Sequence, residues 1–218
     1  MDRKKFNAAA ETLQKHIDVI QRERDYKTVG APKVREHLQA FLDRTLQGRV
    51  DVLCNDALDL LGWRLQMPMN ELAVVAPDEF RAALTALWSP PPRAEHADDF
   101  WRILEPVLDR LTSDNSQGLK GVNPRTTVAT YLLYVADPAR FPFYMPTYGG
   151  KFITHVYGKD KNERLNDSSP GLLANAYTKR CVYLLEQFRD TGLELEDMMD
   201  LHSAIHIFAR DYLKPGNT

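Results

Sequence analysis

Two histidines, His202 and His206, lie four residues apart in the stretch HSAIH, so they share one face of a predicted helix. This spacing can hold a metal ion, but the glutamate of an HExxH motif is absent and no third ligand can be identified. Met198, Ile205 and Phe208 lie on the same helix, which favours a buried, hydrogen-bonded role for at least one histidine. The sequence therefore predicts no metal site and no catalytic residue here.

An acidic stretch, ELEDMMD at residues 194–200, precedes these histidines. Paired carboxylates could bind a metal or act as acid and base. The stretch lies at a predicted helix start, however, where carboxylates are stabilised by the unpaired N–H groups and the helix dipole. We therefore interpret these residues as helix caps.

Sequences typical of nucleotide binding or hydrolysis, namely GxxxxGKS/T, GxGxxG and GxSxG, are absent from the chain. A PD-(D/E)xK nuclease set is also absent. The sequence therefore predicts a protein that is not an enzyme and that uses no cofactor.

The stretch DPARFPFYMPTYGGKF, residues 137–152, holds five aromatic residues, three prolines and two adjacent glycines. Its rings could stack on bases or line a pocket for a nucleotide. Alternatively, the segment turns a corner of the core, an interpretation that we favour for Phe141, Phe143 and Phe152. Tyr144 and Tyr148 fit either interpretation, because their hydroxyl groups need water or a polar partner.

Cations flank this segment and could contact phosphates, and the alternative is that their side chains are only solvated. Lys179 and Arg180 form a further basic pair on a predicted helix beside Tyr177 and could follow a phosphate backbone, although we favour a solvated helix face for this pair. The predicted nucleic-acid-binding residues are Arg140, Tyr144, Tyr148, Lys151, Lys159, Lys161, Arg164, Lys179 and Arg180.

Helices must position these residues, because apolar residues recur at helical spacing along most of the chain. We expect a first helix over about residues 3–26, a second from Pro32 to Gly48, and a third within residues 50–63. Residues 64–77 are expected to form a connection or an isolated strand. The predicted fold class is mainly α: an irregular multi-helix bundle with at most a few short strands.

The proline run in SPPPRAEH, residues 89–96, interrupts the helical pattern. It is the best candidate for a boundary between an N-terminal helical subdomain, residues 1–89, and a C-terminal helical subdomain, residues 90–218. The alternative is one compact domain.

The chain has 218 residues, a formal net charge of −2 and an isoelectric point near 6.3. This balance argues against nucleic-acid binding by bulk charge, so any DNA contact would need a local basic patch.

The two cysteines of the chain show no CxxC spacing, and neither a signal peptide nor a long apolar run is present. We expect a cytoplasmic protein without membrane contact.

Two further stretches are informative: TYLLYVADPARFPFYMPTYGGKFITHVYG, residues 130–158, and LEDMMDLHSAIHIFARD, residues 195–211. Both resemble the N-terminal regions of McrB-type restriction proteins and related AAA+ phage-defence proteins. The similarity covers about residues 76–212. It implies a recognition domain whose partners are DNA, with methylated duplex as one candidate, an AAA+ GTPase motor normally in the same chain, and a nuclease subunit recruited by that motor. The motor is absent here, so we interpret the chain as an excised N-terminal domain.

Two functional hypotheses remain open at this point. The first is a non-enzymatic DNA-binding specificity domain of a restriction or phage-defence complex. The second is a helical protein-interaction or assembly module of a defence system. Exposure of Tyr144 and Tyr148, and clustering of the cations on one face, would favour the first.

Overall fold

The computed structural model describes residues 1–46, 51, 53–54, 56–158, 165 and 167–213. The described chain is mainly α, as predicted, and it contains no strand. A 3₁₀ turn, Glu105–Arg110, and a π-helical turn, Pro146–Gly150, interrupt the helices. The helices are α1 Arg3–Gln14, α2 Ile17–Leu42, α3 Trp63–Val75, α4 Pro77–Leu87, α5 His96–Leu104, α6 Ser113–Gly118, α7 Val122–Ala136, α8 Lys151–Tyr157, α9 Pro170–Asp190 and α10 Met198–Tyr212.

The first two helices differ from the prediction in where they break. α1 ends at Gln14, and α2 then runs for 26 residues straight through Pro32, which was expected to start a helix. A proline inside a helix loses one backbone hydrogen bond and costs about 3 kcal/mol. Burial of Ala31, Val34 and Leu38 beside it outweighs that cost.

The third helix was also predicted in the wrong place. The described residues between Asp51 and Gly62 form turns, and the helix begins at Trp63, where a connection or strand was expected. Leu65, Met69 and Leu72 have helical spacing, and the last two are fully buried. Their burial stabilises a helix that Pro68 obscured in the sequence.

The turn segment lies directly against α2 at Gly30. A Cβ added to Gly30 would lie 2.3 Å from the backbone oxygen of Ala57, closer than any real contact. Glycine is required at this position because the two backbones approach each other so closely.

We expect Gly30→Ala to lower the free energy of unfolding by about 1–3 kcal/mol, since the turn segment must move away from α2. Chemical denaturation measures the change. Gly62→Ala is the matched control, because nothing lies within 4 Å of the Cβ that it adds. Equal stability of the Gly30 and Gly62 variants would contradict the close approach.

Two clusters of buried apolar residues form the interior. The first core is built mainly by residues between Ala31 and Phe143, and the second by α1, α8 and most of the buried residues of α9 and α10. α2, α9 and α10 each supply residues to both cores. The first core includes both sides of the proline run, since the rings of Phe80 and Phe100 lie 6.3 Å apart. The run therefore turns the chain within one core.

None of the described helices is both long enough and apolar enough to cross a lipid bilayer.

Candidate nucleic-acid interface

The aromatic segment after α7 lies largely in the interior. Phe141, Phe143 and Phe152 are buried, which confirms the core interpretation for these three rings. The segment passes from the first core, which contains Phe143, to the second core, which contains Tyr144 and Phe152. Its prolines and glycines therefore serve a change of direction between two packed clusters.

Tyr144 does not fit the predicted role as a nucleic-acid contact, because only 5% of it is exposed. Its hydroxyl group donates a hydrogen bond to Asn123 Oδ1 at 2.9 Å, and its backbone N–H donates to Thr130 Oγ1 at 3.1 Å. Burial raises the pKa of the phenol to about 12, so the hydroxyl remains a donor at ordinary pH. The polar partner that this tyrosine needs is inside the protein, and its ring is not available to a base.

Tyr148 is half-buried and lies in the π-helical turn, with its ring stacked 4.4 Å from that of His206 on α10. The next residue, Gly149, packs against the buried ring of Tyr177, where a Cβ would lie 2.6 Å from the phenol oxygen. Together, the Tyr148–His206 stacking and the Gly149–Tyr177 contact hold this turn against α10 and α9. Tyr148 is thus partly accessible, but it already has a stacking partner.

A basic groove lies along α9 and the end of α8, and it contains the predicted pair Lys179 and Arg180. The cavity has a volume of about 470 Å³. Lys179 is exposed, and the guanidinium group of Arg180 lies over the ring of Tyr157, 3.9 Å from its centroid. Tyr183, which is 41% exposed, is one helical turn from Lys179 and also lines the groove. Met1, Leu165 and Ala176 complete the lining.

The other predicted cations do not gather at this groove in the described part of the chain. Arg140 is exposed after α7, and its guanidinium group lies 5.1 Å from the Phe141 ring centroid. Lys151 is exposed at the first position of α8. Lys159, Lys161 and Arg164 lie outside the described residues. Among the described members of the predicted set, only Lys179 and Arg180 line this groove, together with two tyrosines that the prediction did not include.

A charged network between α2 and α10 was not predicted. The two terminal nitrogens of Arg24 donate to the two carboxylate oxygens of Asp197, each at 3.0 Å. The same guanidinium group forms ion pairs at 2.9 Å with Asp200 and with Glu196. Asp197 also accepts hydrogen bonds from the backbone N–H groups of Met199 and Asp200. The interpretation of the acidic stretch as a helix cap is confirmed for this residue.

Lys27, one turn further along α2, is completely buried. Its ammonium group donates to Ser203 Oγ at 2.7 Å and to His202 Nδ1 at 3.1 Å, and it lies 3.7 Å from Glu23. Burial lowers the pKa of Lys27 to about 8 and, with the positive charge of Lys27, holds the pKa of His202 well below its ordinary range. His202 is therefore the neutral acceptor of this pair.

A lysine beside a serine resembles a catalytic pair, but the surroundings do not support catalysis. Lys27 and Ser203 are both closed off from solvent, and the serine hydroxyl donates to the backbone oxygen of Met199 at 2.9 Å. No substrate can reach the hydroxyl in this structure. His202 is buried as predicted, His206 is half-buried, and no group of three or more potential metal ligands occurs in the described ranges.

Comparison of the chain with protein-family models, with curated proteins and with solved structures gave no match.

Proposed function

We propose that this chain is a non-enzymatic DNA-binding module that holds the phosphate backbone in the groove of Lys179, Arg180, Tyr157 and Tyr183. The observation that carries the proposal is the pairing of two adjacent cations with two tyrosine rings in one open groove. Grooves that combine cations and aromatic rings are a common means of binding nucleic acid.

The side chains of the groove would each make a different contact with DNA. Stacking on Tyr157 fixes the Arg180 guanidinium group at the groove wall, while Lys179 supplies a mobile charge for a phosphate. The exposed ring of Tyr183 offers a surface on which a base or sugar can pack. Because the whole chain carries a net charge of −2, attraction of DNA depends on this local pair.

The resemblance to McrB-type proteins suggests where such a module would act. In that setting the domain would belong to a restriction or phage-defence complex in the cytoplasm. It would bind DNA, with methylated duplex as a candidate, beside an AAA+ GTPase motor and the nuclease that the motor recruits. This assignment is supported by the two similar stretches at residues 130–158 and 195–211.

Fluorescence anisotropy with matched labelled duplexes tests the proposal. The duplexes are unmodified, cytosine-methylated or adenine-methylated, at about 50 and about 200 mM salt. We expect binding that weakens with salt, and about a tenfold or greater loss of affinity when Lys179→Gln and Arg180→Gln are combined. The salt slope should fall by about one for each phosphate contact removed.

Lys33→Gln combined with Arg93→Gln is the control, because both side chains are exposed and the net charge changes by the same amount. If the control weakens binding as much as the groove variant, the groove is not the contact surface. If no duplex binds at about 50 mM salt, the DNA-binding proposal fails.

A role as a protein-interaction or assembly module is the second candidate. The outer face of α3 favours this role, because three large apolar side chains lie along one stripe of it: Trp63, Met67 and Val74. Each of the three is at least half exposed. Large apolar side chains grouped on a surface often mark contact sites. Sedimentation velocity of the isolated chain at several concentrations tests for self-association through this face.

A further inference from the structure

A second cavity, of about 510 Å³, opens beside the start of α3 and is separate from the basic groove. Its walls come from three parts of the chain: Leu60 to Leu65, the first turns of α7, and Phe143 to Thr147. The size lies within the range of small-molecule sites, roughly 300–1,000 Å³. No described residue lines both cavities.

The walls of this cavity suit a flat apolar molecule. The indole ring of Trp63 is 68% exposed at the mouth, and Phe143 is buried behind the cavity. Met145 contributes a thioether side chain to the wall of the cavity, and Pro146 contributes a rigid ring. Aromatic and thioether groups of this kind pack favourably against the faces and edges of aromatic rings.

Two of the polar side chains at the edge, Asn123 and Arg64, have N–H groups that can donate hydrogen bonds to a ligand. Asn123 Oδ1 already accepts from Tyr144, so the amide N–H₂ is the part of Asn123 that can serve a ligand. Thr127 Oγ1 donates its one hydrogen to the backbone oxygen of Asn123 at 2.9 Å, so toward a ligand it can only accept. Arg64 can only donate, and its guanidinium group lies 5.4 Å from the centroid of the Trp63 ring. Among the described lining residues, Arg64 is the only one that carries a charge.

We propose that this cavity binds a small planar aromatic anion, with its ring against Trp63 and Met145 and its anionic group at Arg64 and Asn123. The hydroxyl group of Tyr144 donates to Asn123 Oδ1, which leaves the amide N–H₂ for the ligand. The site is independent of DNA binding at Lys179 and Arg180.

Two fluorescent probes with the same ring system test the proposal: anilinonaphthalene sulfonate, which is anionic, and phenylnaphthylamine, which is neutral. Titration of the whole chain should show that the sulfonate binds about tenfold more tightly than the amine, because a charged group gains charge-assisted hydrogen bonds. Trp63→Ala should abolish the binding of both probes. The exposed position of Trp63 allows the variant to fold, which circular dichroism verifies.

Two further variants separate charge from ring packing. Arg64→Gln removes the cation, and Asn123→Asp replaces the donating amide with a carboxylate of the same shape. Each substitution should reduce the ratio of the sulfonate affinity to the amine affinity to about one, while the affinity of the neutral amine is unchanged. Arg93→Gln, which removes an exposed cation outside the cavity, should leave the preference intact.

Equal affinities of the two probes for the unaltered chain would overturn the proposal, as would a preference that survives both Arg64→Gln and Asn123→Asp. Absence of binding by either probe would also overturn it. Probe affinity that falls as the protein concentration rises would assign this face to a second copy of the chain instead.

Discussion

Replacement of Arg24 by methionine should lower the free energy of unfolding by about 3–5 kcal/mol. Arg24 is the cation that faces both Asp197 and Asp200, and the side chain of Asp200 is only 5% exposed. Without the guanidinium group, the carboxylates of Asp197 and Asp200 lose the positive charge between them and repel each other at the start of α10. Chemical denaturation followed by far-ultraviolet circular dichroism measures the loss.

A double-mutant cycle identifies the cause of that loss. Asp200→Asn keeps an oxygen that can accept from the backbone N–H of Glu196, as Asp200 Oδ2 does at 2.8 Å. Adding it to Arg24→Met should recover part of the lost stability, because one buried charge is then removed. Arg22→Met, at an exposed position of the same helix, should change stability by less than about 0.5 kcal/mol. Strictly additive effects of the Arg24 and Asp200 substitutions would contradict a direct ion pair.

The second large effect concerns the dependence of stability on pH at Lys27. Its pKa is about 8 in the folded protein, compared with an ordinary value of 10.5, and burial is the main cause. Between these two values the unfolded chain binds a proton that the folded chain does not bind, so the free energy of unfolding rises with pH. The difference corresponds to about 3 kcal/mol over the whole interval.

Comparison with Lys27→Met isolates this contribution. The stability of the unaltered chain should increase by about 2 kcal/mol relative to the variant between about pH 8 and about pH 9.5. Below pH 8 the two curves should run parallel, since the full cost of burying the charge is then present. The exposed residue Lys33 provides the control, and Lys33→Met should produce no such divergence. Parallel curves for Lys27→Met up to pH 9.5 would show that the buried amine has an ordinary pKa in the folded protein.

Local patterns were sufficient for the features that depend on neighbours in sequence. The mainly α fold and the capping by Asp197 follow from helical spacing and helix-end chemistry. The burial of the three phenylalanines after α7 follows from their place at a proline-broken corner between helices. The errors occurred where contacts between distant segments decide the outcome. Pro32 and Pro68 both lie inside helices because the residues around them are buried against other segments.

The candidate sites were harder to predict for the same reason. Arg24 and Lys27 meet partners more than 170 positions away in the chain, and no local signal marks a lysine as buried. Tyr144 could not be distinguished from Tyr148 by residue type, because only the position of Asn123 shows where its hydroxyl group bonds. The adjacent pair Lys179 and Arg180 was recognisable, and Tyr183 follows Lys179 by four residues on the same helix, a spacing that could have indicated it. Tyr157, in contrast, joins the pair only through the packing of α8 on α9.

α2 is one continuous rod, roughly 39 Å long at about 1.5 Å per residue, and it supplies Ile20 to the second core and Val34 to the first. Neither core can lose α2 without losing part of its own wall, so the two cores should melt in one cooperative transition. The two cores do not coincide with the predicted subdomains 1–89 and 90–218, because each core takes residues from both sides of the proline run. A substitution that destabilises one end of α2 should therefore also lower the stability of the core at its other end.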